Sequence, residues 1–236
     1  MKPSIILPPR REFIRRSLAG VGAIAGVGAI AATVLFERPG LFADLLLTPS
    51  MTEGPFYPNP LPLDTDNDLL ILNDAITPAV GEVTHLSGTV MDRTGSPIPN
   101  ARVEIWQVDG KGVYLHPKGG DRKLQDKNFQ GFGRFITNLK GQYYFRTVKP
   151  VSYPGRTPHI HVAVYVKNKR VLTTQCLIKG HVQNQRDGVF KRVKNPELRN
   201  KLLVNFQSLP NSKIGELTAT FDVVVGLTPE DGRRGS

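Results

Sequence analysis

Two histidines and two tyrosines in this sequence have side chains that together could hold a metal ion. His159 and His161 are separated by one residue, and Tyr114 and Tyr153 precede them in segments punctuated by Gly and Pro. Residues i and i+2 of a β-strand project from the same face, so a strand here would present two imidazoles side by side. Taken alone, such a pair is equally typical of a surface pair or of half a zinc or copper site.

The tyrosines narrow the choice of metal. A phenol with a pKa near ~10 binds a metal only after its proton is displaced, which requires a strongly Lewis-acidic cation. Ferric iron meets that requirement better than Zn²⁺ or Ca²⁺, and two phenolates would stabilise the ferric over the ferrous state. Such a site differs from the two-histidine, one-carboxylate triad of Fe(II) oxygenases. The residue types therefore predict a non-haem Fe(III) centre in an oxidising enzyme.

The elements that must position these side chains are predicted to be short strands. The 23 glycines and 19 prolines are scattered, which favours strands and turns over long helices. Period-two alternation and apolar runs predict strands at 86–90, 101–106, 133–137, 143–147, 159–166, 171–178 and 217–225. One helix is predicted over 195–206, with Pro196 in its first turn. We expect an all-β sandwich of mainly antiparallel strands with one short helix.

The chain of 236 residues is long enough to bury one sizeable core and does not require two domains. We expect a leader at residues 1–36, an N-terminal arm and linker at 37–84, and the β-sandwich domain at 85–236. The arm is predicted because the segment before His85 is rich in proline and aspartate and shows no periodicity. The domain boundaries follow from these changes in composition.

The leader has the features of an export signal. Arg10 and Arg11 precede an uncharged, Gly- and Ala-rich stretch, residues 17–36, which resembles a twin-arginine signal with a small-residue cleavage site at Ala29-Ile30-Ala31. This predicts the twin-arginine translocase as a partner and a periplasmic or extracellular location. A stretch of about 20 apolar residues could instead anchor the chain in a membrane, which is the alternative. Membrane contact is expected only through an uncleaved leader.

Charge and cysteine content exclude other classes. The net charge is +11, of which the first forty residues contribute four, and no Lys/Arg run is interleaved with aromatic residues, so nucleic-acid binding is not expected. Cys176 is the only cysteine, so no intramolecular disulfide can form. It lies in an apolar run and is expected to be a small buried side chain.

Longer motifs carry a resemblance to a known family. The segments Trp106 to Tyr114, Gly131 to Arg134, Lys149 to Pro154 and Arg156 to His161 occur in the order found in intradiol ring-cleavage dioxygenases. Members of that family include protocatechuate 3,4-dioxygenase and catechol 1,2-dioxygenase. The resemblance runs from about Thr52 to Val225. It implies a sandwich with a transthyretin/prealbumin-like core that cleaves a catechol-type aromatic with O₂ to a muconate-type diacid.

The resemblance also assigns roles to single residues. The four non-haem Fe(III) ligands it implies are Tyr114, Tyr153, His159 and His161. Tyr153 matches the ligand that the incoming catechol displaces. Arg156 corresponds to an arginine that stabilises charge on the ring, and Gln175 to a glutamine near that arginine. The segment that edges the substrate pocket corresponds to Thr52, Gly54 and Pro55.

One alternative comes from another class of protein. The pattern around Gly88, Gly95 and Pro97 is also typical of transthyretin-like modules, which bind or space without catalysis. Such modules need neither the histidine pair nor the paired tyrosines. The specific catechol stays open among catechol itself, carboxylated catechols, and larger lignin-derived or hydroxylated catechols. A homo-oligomer is expected, because one chain carries both the pocket-edge segment and all four ligands.

Overall fold

The computed structural model describes residues 44–72 and 76–226. The expected leader lies outside these residues. The strands are β1 (Val83–Met91), β2 (Arg102–Trp106), β3 (Phe132–Ile136), β4 (Gln142–Val148), β5 (His159–Val166), β6 (Lys169–Ile178), β7 (Leu203–Val204), β8 (Gln207–Ser208), β9 (Leu217–Thr220) and β10 (Val223–Val224). One α-helix, α1 (Pro196–Lys201), follows two 3₁₀ turns at Val182–Gln185 and Phe190–Arg192. The expectation of a mainly β chain with one short helix is confirmed for the described residues.

The strands form two five-stranded sheets, and both are mixed. In the first, β1 lies between antiparallel β4 on one edge and parallel β9 and β10 on the other, and β8 pairs with β9. In the second, the order is β3-β2-β5-β6-β7, antiparallel except for the last pair. Successive strands β1 and β2 therefore belong to different sheets, and residues 92–101 connect them. Among the described residues, five of the eight strand pairs are antiparallel, but the first sheet also contains two parallel pairs and the second contains one.

The two layers share one hydrophobic core. Strand β1 alternates half-buried and buried residues, with Leu86 and Val90 fully buried, and β2 contributes Val103 and Ile105 to the same cluster. Cys176 of β6 is also a fully buried member, as expected for a small apolar side chain. Apolar residues from both sheets thus meet between the layers, which leaves the opposite face of the second sheet available to a site.

The predicted strand over 217–225 is interrupted in the structure. Strand β9 ends at Thr220 and β10 begins at Val223, yet both lie along the same edge of β1. At the break, the buried Phe221 donates its N–H to the Ser87 carbonyl at 2.8 Å, and the Asp222 carboxylate accepts from Thr89 N–H at 2.8 Å. A side-chain acceptor therefore replaces a ladder bond, which the apolar pattern alone does not reveal.

The helix prediction over 195–206 was too long. Asn195 caps the helix, since its side chain accepts from the N–H groups of Glu197 and Leu198, but the helix ends at Lys201. The following residues form β7, which extends the second sheet by pairing in parallel with β6. Leucines spaced to suit a helix face fit a short buried strand equally well, and pairing with β6 decided the outcome. In the part of the chain that the structure describes, no helix has the length and apolar character to cross a membrane.

The arm segment before β1 is attached to both sheets. Thr48 donates its N–H to Val224 of the first sheet at 3.0 Å, and Met51 donates to Thr173 of the second at 2.8 Å. Further along, Leu69 donates to Arg146 at 2.8 Å. Residues between Met51 and Leu69 are thereby held against the body.

A buried carboxylate on β2 ties the arm to the second sheet. Glu104, with a side chain only 1% exposed, accepts from Tyr57 Oη at 2.9 Å and from Arg134 Nε at 2.8 Å. Arg102 Nε lies 3.2 Å from the same carboxylate without being aligned for a hydrogen bond. The carboxylate is therefore both charge-paired and hydrogen-bonded inside the protein.

We expect Glu104→Ala to lower the free energy of unfolding by about 3 kcal/mol, because it leaves partly buried cations without their counter-ion. Glu82→Ala, which removes a carboxylate paired with Lys149 at the surface, should cost less than about 1 kcal/mol. Urea unfolding followed by circular dichroism measures both. Equal losses for the two variants would contradict the assigned role of the buried carboxylate.

Candidate metal centre

Four potential metal donors converge on the face of the second sheet that lies away from the main core. Tyr114 Oη lies 3.1 Å from His161 Nε2 and 3.5 Å from both His159 Nε2 and Tyr153 Oη. The two histidine Nε2 atoms are 3.1 Å apart. The structure therefore brings together two oxygen and two nitrogen donors from three separate segments of the sequence.

Strand β5 delivers the two histidines. His159 and His161 are each 1% exposed and point to one face, whereas Ile160 between them packs in the main core on the other face. This is the alternation that a strand imposes. Within the second sheet, His161 lies opposite Trp106 of β2 and Gln175 of β6.

Tight turns present the two tyrosines. The Asp109 side chain accepts from Lys111 N–H at 2.9 Å and Val113 N–H at 3.0 Å, which closes the turn that follows β2 and leads into Tyr114. Tyr153 lies in the loop between β4 and β5, where its carbonyl accepts from Arg156 N–H at 3.0 Å. Gly155 in that turn has φ +80°, a conformation that favours glycine. Local turn chemistry thus aims both phenols at the histidine pair.

One histidine has a defined tautomer. His159 Nδ1 lies 2.7 Å from the Thr157 carbonyl, which only accepts hydrogen bonds, so Nδ1 carries the proton and Nε2 presents a lone pair. Burial, together with the positive charge of Arg156, lowers the pKa of His159 to about 4. Burial and the neighbouring His159 lower the pKa of His161 well below its usual value. Both rings are therefore neutral near pH 7, the form that ligates metals.

His161 is held by stacking. Its Nδ1 atom is buried and has no hydrogen-bond partner among the described residues. The ring lies parallel to Trp106, with an interplanar angle of 7° and centroids 4.7 Å apart, and Tyr57 packs edge-on against Trp106 at 5.0 Å. The sequence marks Trp106 only as the first residue of a motif segment. Its contact with His161 was not predicted because cross-strand register is not readable from the sequence.

The chemistry of the four donors fits a strongly Lewis-acidic metal. The two histidine Nε2 atoms lie 3.1 Å apart, and His159 Nε2 presents a lone pair, so the two imidazoles can act as neighbouring ligands of one metal ion. Burial, with the nearby Tyr153, raises the pKa of Tyr114 well above its usual value, so a metal must displace that proton. In the described ranges, no group of three or more His, Cys, Asp or Glu side chains could hold a metal ion.

An arginine stands beside the donors. Arg156 Nη1 lies 3.5 Å from Tyr153 Oη, and Nη2 donates to Gln175 Oε1 at 2.6 Å. Nε forms an ion pair at 2.9 Å with Asp187, whose side chain is fully buried. Burial alone would raise the pKa of that carboxyl, but the N–H groups of Phe190 and Thr157 and the Arg156 charge together lower it. Asp187 was not singled out from the sequence.

The three residues expected to edge the pocket lie in the arm. The Thr52 carbonyl accepts from Gln175 Nε2 at 2.9 Å, which links the arm to the arginine. Gly54 has φ +70° and lies against the His161 ring, since a methyl group added there would meet Cε1 at 3.6 Å. Pro55 is exposed beside it. The arm therefore borders the centre at Gly54.

A cavity of about 430 Å³ opens next to the centre. It is bounded by the loop from Ser152 to Thr157, which includes Tyr153 and Arg156, and by Gln183, Arg186 and Asp187 across from it. Thr52, Gly54 and Pro55 do not line this cavity, so the arm and the cavity approach the donors separately. The other three histidines of the chain, His85, His116 and His181, are not among the converging donors. His85, for example, lies on the first sheet beside Glu216 at 3.1 Å.

Sequence comparison matches this chain to dioxygenases. A family model described as dioxygenase matches residues 52–226. The protocatechuate 3,4-dioxygenase beta chain of Burkholderia cepacia is 33% identical over 157 residues, covering 62% of this chain and 65% of the relative. Catechol 1,2-dioxygenase of Acinetobacter baylyi is 33% identical over 153 residues, covering 56% of this chain and 47% of the relative. The chain thus spans about half to two thirds of these relatives.

Solved structures show the same fold. The dioxygenase domain of a dioxygenase carbohydrate-binding protein fusion from Streptomyces sp. SirexAA-E superposes with a TM-score of 0.59 and 28% identity, covering 77% of this chain and 99% of that domain. An intradiol ring-cleavage dioxygenase from Tetranychus urticae superposes with a TM-score of 0.60 and 22% identity, covering 77% of this chain and 95% of the other. At that lower identity the likeness extends to the fold alone.

Proposed function

Because this chain belongs to the dioxygenase family, whose model matches residues 52–226, we propose that it is a non-haem Fe(III) intradiol dioxygenase. It would cleave the ring of a catechol-type aromatic between the two hydroxyl-bearing carbons, with O₂, to give a muconate-type diacid. The main support for this proposal is the cluster of two phenol oxygens and two imidazole nitrogens, in which Tyr114 Oη lies 3.1–3.5 Å from each of the other three donor atoms and the two Nε2 atoms are 3.1 Å apart. No comparison favours the alternative of a non-catalytic transthyretin-like module.

The iron would be held by the four converging side chains, Tyr114, Tyr153, His159 and His161. Ferric iron, when bound, supplies Lewis acidity that draws electron density from a catecholate and makes its ring reactive toward O₂. The protein supplies the neutral imidazoles and a buried setting in which electrostatic interactions are strong. Trp106 and the Thr157 carbonyl fix the planes of the two histidine rings.

Tyr153 is the ligand best placed to exchange with substrate. It is only half-buried and borders the cavity, whereas Tyr114 is 1% exposed and packs against Phe56 at 4.9 Å. When the substrate takes its place, Tyr153 Oη would accept a proton from one catechol hydroxyl. Arg156, with Nη1 3.5 Å from that oxygen, would then face the anionic substrate.

The relatives indicate the class of substrate. Their names record action on protocatechuate, catechol and hydroxyquinol, which all carry adjacent ring hydroxyls. We propose a catechol of this kind, bound from the cavity beside Tyr153 and bordered on the arm side by Thr52, Gly54 and Pro55. A homo-oligomer is proposed for the assembled enzyme, because the arm and all four ligands belong to one chain.

Oxygen consumption with a panel of neutral, carboxylated and hydroxylated catechols tests the reaction. With isotopically labelled O₂, the product should be a ring-opened diacid that carries both labelled atoms, as mass spectrometry would reveal. Absence of oxygen uptake by iron-loaded protein with every catechol in the panel would reject the proposal. A product cleaved outside the two hydroxyls would reject intradiol cleavage specifically.

We also propose export through the twin-arginine translocase to the periplasm or beyond, with membrane anchoring as the alternative. The translocase carries folded proteins, so the iron would be acquired in the cytoplasm before export. Replacing Arg10 and Arg11 together by Lys should leave the protein in the cytoplasm, measured by cell fractionation and immunoblotting. Unchanged export of the double variant would contradict this assignment.

A further inference from the structure

We propose that Asp187 is the positioning residue for Arg156, an inference that rests on the proposed dioxygenase reaction. Asp187 lies in the loop after the 3₁₀ turn Val182–Gln185, and nothing in the sequence motifs marks it. Its side chain is fully buried and touches the guanidinium rather than any of the four donors. It would act through the arginine and not on the substrate.

The carboxylate is saturated by donors. Oδ2 accepts from Arg156 Nε at 2.9 Å and from Thr157 N–H at 2.9 Å. Oδ1 accepts from Val189 N–H at 2.9 Å and Phe190 N–H at 2.8 Å. Three backbone N–H groups therefore hold the Asp187 carboxylate in place independently of Arg156. A carboxylate held in this way can orient the guanidinium that binds it.

The choice of Nε decides where the rest of the guanidinium points. With Nε on Asp187, the planar fork directs Nη2 to Gln175 at 2.6 Å and Nη1 to Tyr153 Oη at 3.5 Å. Gln175 is itself anchored on the Thr52 carbonyl at 2.9 Å. Without the contact between Nε and Asp187, only the contacts of Nη1 and Nη2 would remain, and the Arg156 side chain could rotate about them.

Only a carboxylate satisfies this environment. All four partners are N–H donors, so an amide at this position would direct its own NH₂ group at two of them in either orientation. Asp187→Asn is therefore a nearly isosteric change that breaks the arrangement. Asp222→Asn is a matched control, because Asp222 accepts from the backbone N–H of Thr89 on the first sheet.

We expect Asp187→Asn to lower kcat by about 10- to 100-fold, because a misplacement of about 1 Å costs on that order. KM, iron content and the visible absorption of the iron centre should stay near the wild-type values. Asp222→Asn should change kcat by less than about twofold, as substitutions distant from a site usually do. A fall in iron content and soluble yield that accounts for the whole loss would show a merely structural role and overturn the inference.

A double-mutant cycle separates positioning from an independent effect. If Asp187 acts only through Arg156, then Asp187→Asn should lower kcat by less than about twofold when Arg156 is already Ala. If the loss of kcat in the double variant equalled the product of the losses in the two single variants, the inference would be overturned. The cycle is measured on wild-type enzyme that cleaves a catechol. A multiplicative result would therefore reject the role of Asp187 without rejecting the proposed dioxygenase reaction.

A readout that needs no turnover completes the test. In metal-free protein with isotope-labelled arginine side chains, the Arg156 Nε–H resonance should exchange slowly with solvent in wild type and in Asp222→Asn. It should exchange rapidly in Asp187→Asn. An unchanged exchange rate in Asp187→Asn would overturn the inference, even if the wild-type protein oxidised no catechol.

Discussion

Replacing His161 by Ala is expected to abolish ring cleavage. Loss of an outer partner of a metal ligand already costs about 10- to 100-fold in activity or affinity, so loss of a ligand should exceed about 100-fold. The side chain is buried between Trp106 and Tyr114 Oη, so its removal also leaves a cavity at the centre of the site. Oxygen uptake and iron content per chain measure the effect, and both should fall together.

The control for this variant is His85→Ala. His85 is the histidine on β1 that contacts Tyr144 and Glu216 on the first sheet. Loss of these partly exposed contacts should leave oxygen uptake and iron content within about twofold of wild type, because they lie on the first sheet, away from the four donors, and such ion pairs contribute little. Full activity in His161→Ala would remove it from the ligand set. An equal loss in both variants would point to general instability.

Arg156→Ala is expected to lower kcat by about 10²- to 10³-fold while the iron stays bound. That range is typical for removal of one preorganised donor that faces developing charge. Its guanidinium approaches Tyr153 Oη at 3.5 Å but is not among the four donors, so the metal centre should keep its colour and stoichiometry. Steady-state kinetics with the best catechol, together with metal analysis, separate these outcomes.

Arg93→Ala serves as the matched control. This arginine follows β1 and pairs with Asp44 at the surface, where its side chain is 47% exposed. Its replacement should leave kcat unchanged within about twofold. If Arg156→Ala turned over at the wild-type rate, the arginine would have no part in stabilising charge on the ring. Loss of iron from that variant would instead place it among the groups that build the centre.

The parts of the structure that were readable from sequence are those set by local pattern. Strand β5 begins at His159 and ends at Val166 as predicted. A short apolar run between a proline-rich turn and a charged turn favours a strand over other secondary structure. The same period-two geometry that places Ile160 in the core places both histidines on the opposite face. Asn195 and Pro196 likewise mark where the helix begins.

The parts that could not be read depend on long-range pairing. Trp106 reaches His161 only because β2 and β5 are in register, and no local signal sets that register. Asp187 reaches Arg156 across a separation of 31 residues, through a loop whose shape depends on packing. The predicted helix ran past Lys201 for the same reason, since β7 forms only when β6 is present as a partner.

We propose that two phenolates and two imidazoles hold one ferric ion. The most direct measurement is the visible absorption and metal content of purified protein loaded with iron. We predict about one iron per chain and a charge-transfer colour from tyrosinate to iron, a colour that Tyr114→Phe should change. Colourless protein that binds no iron, or that binds zinc alone, would contradict the claim.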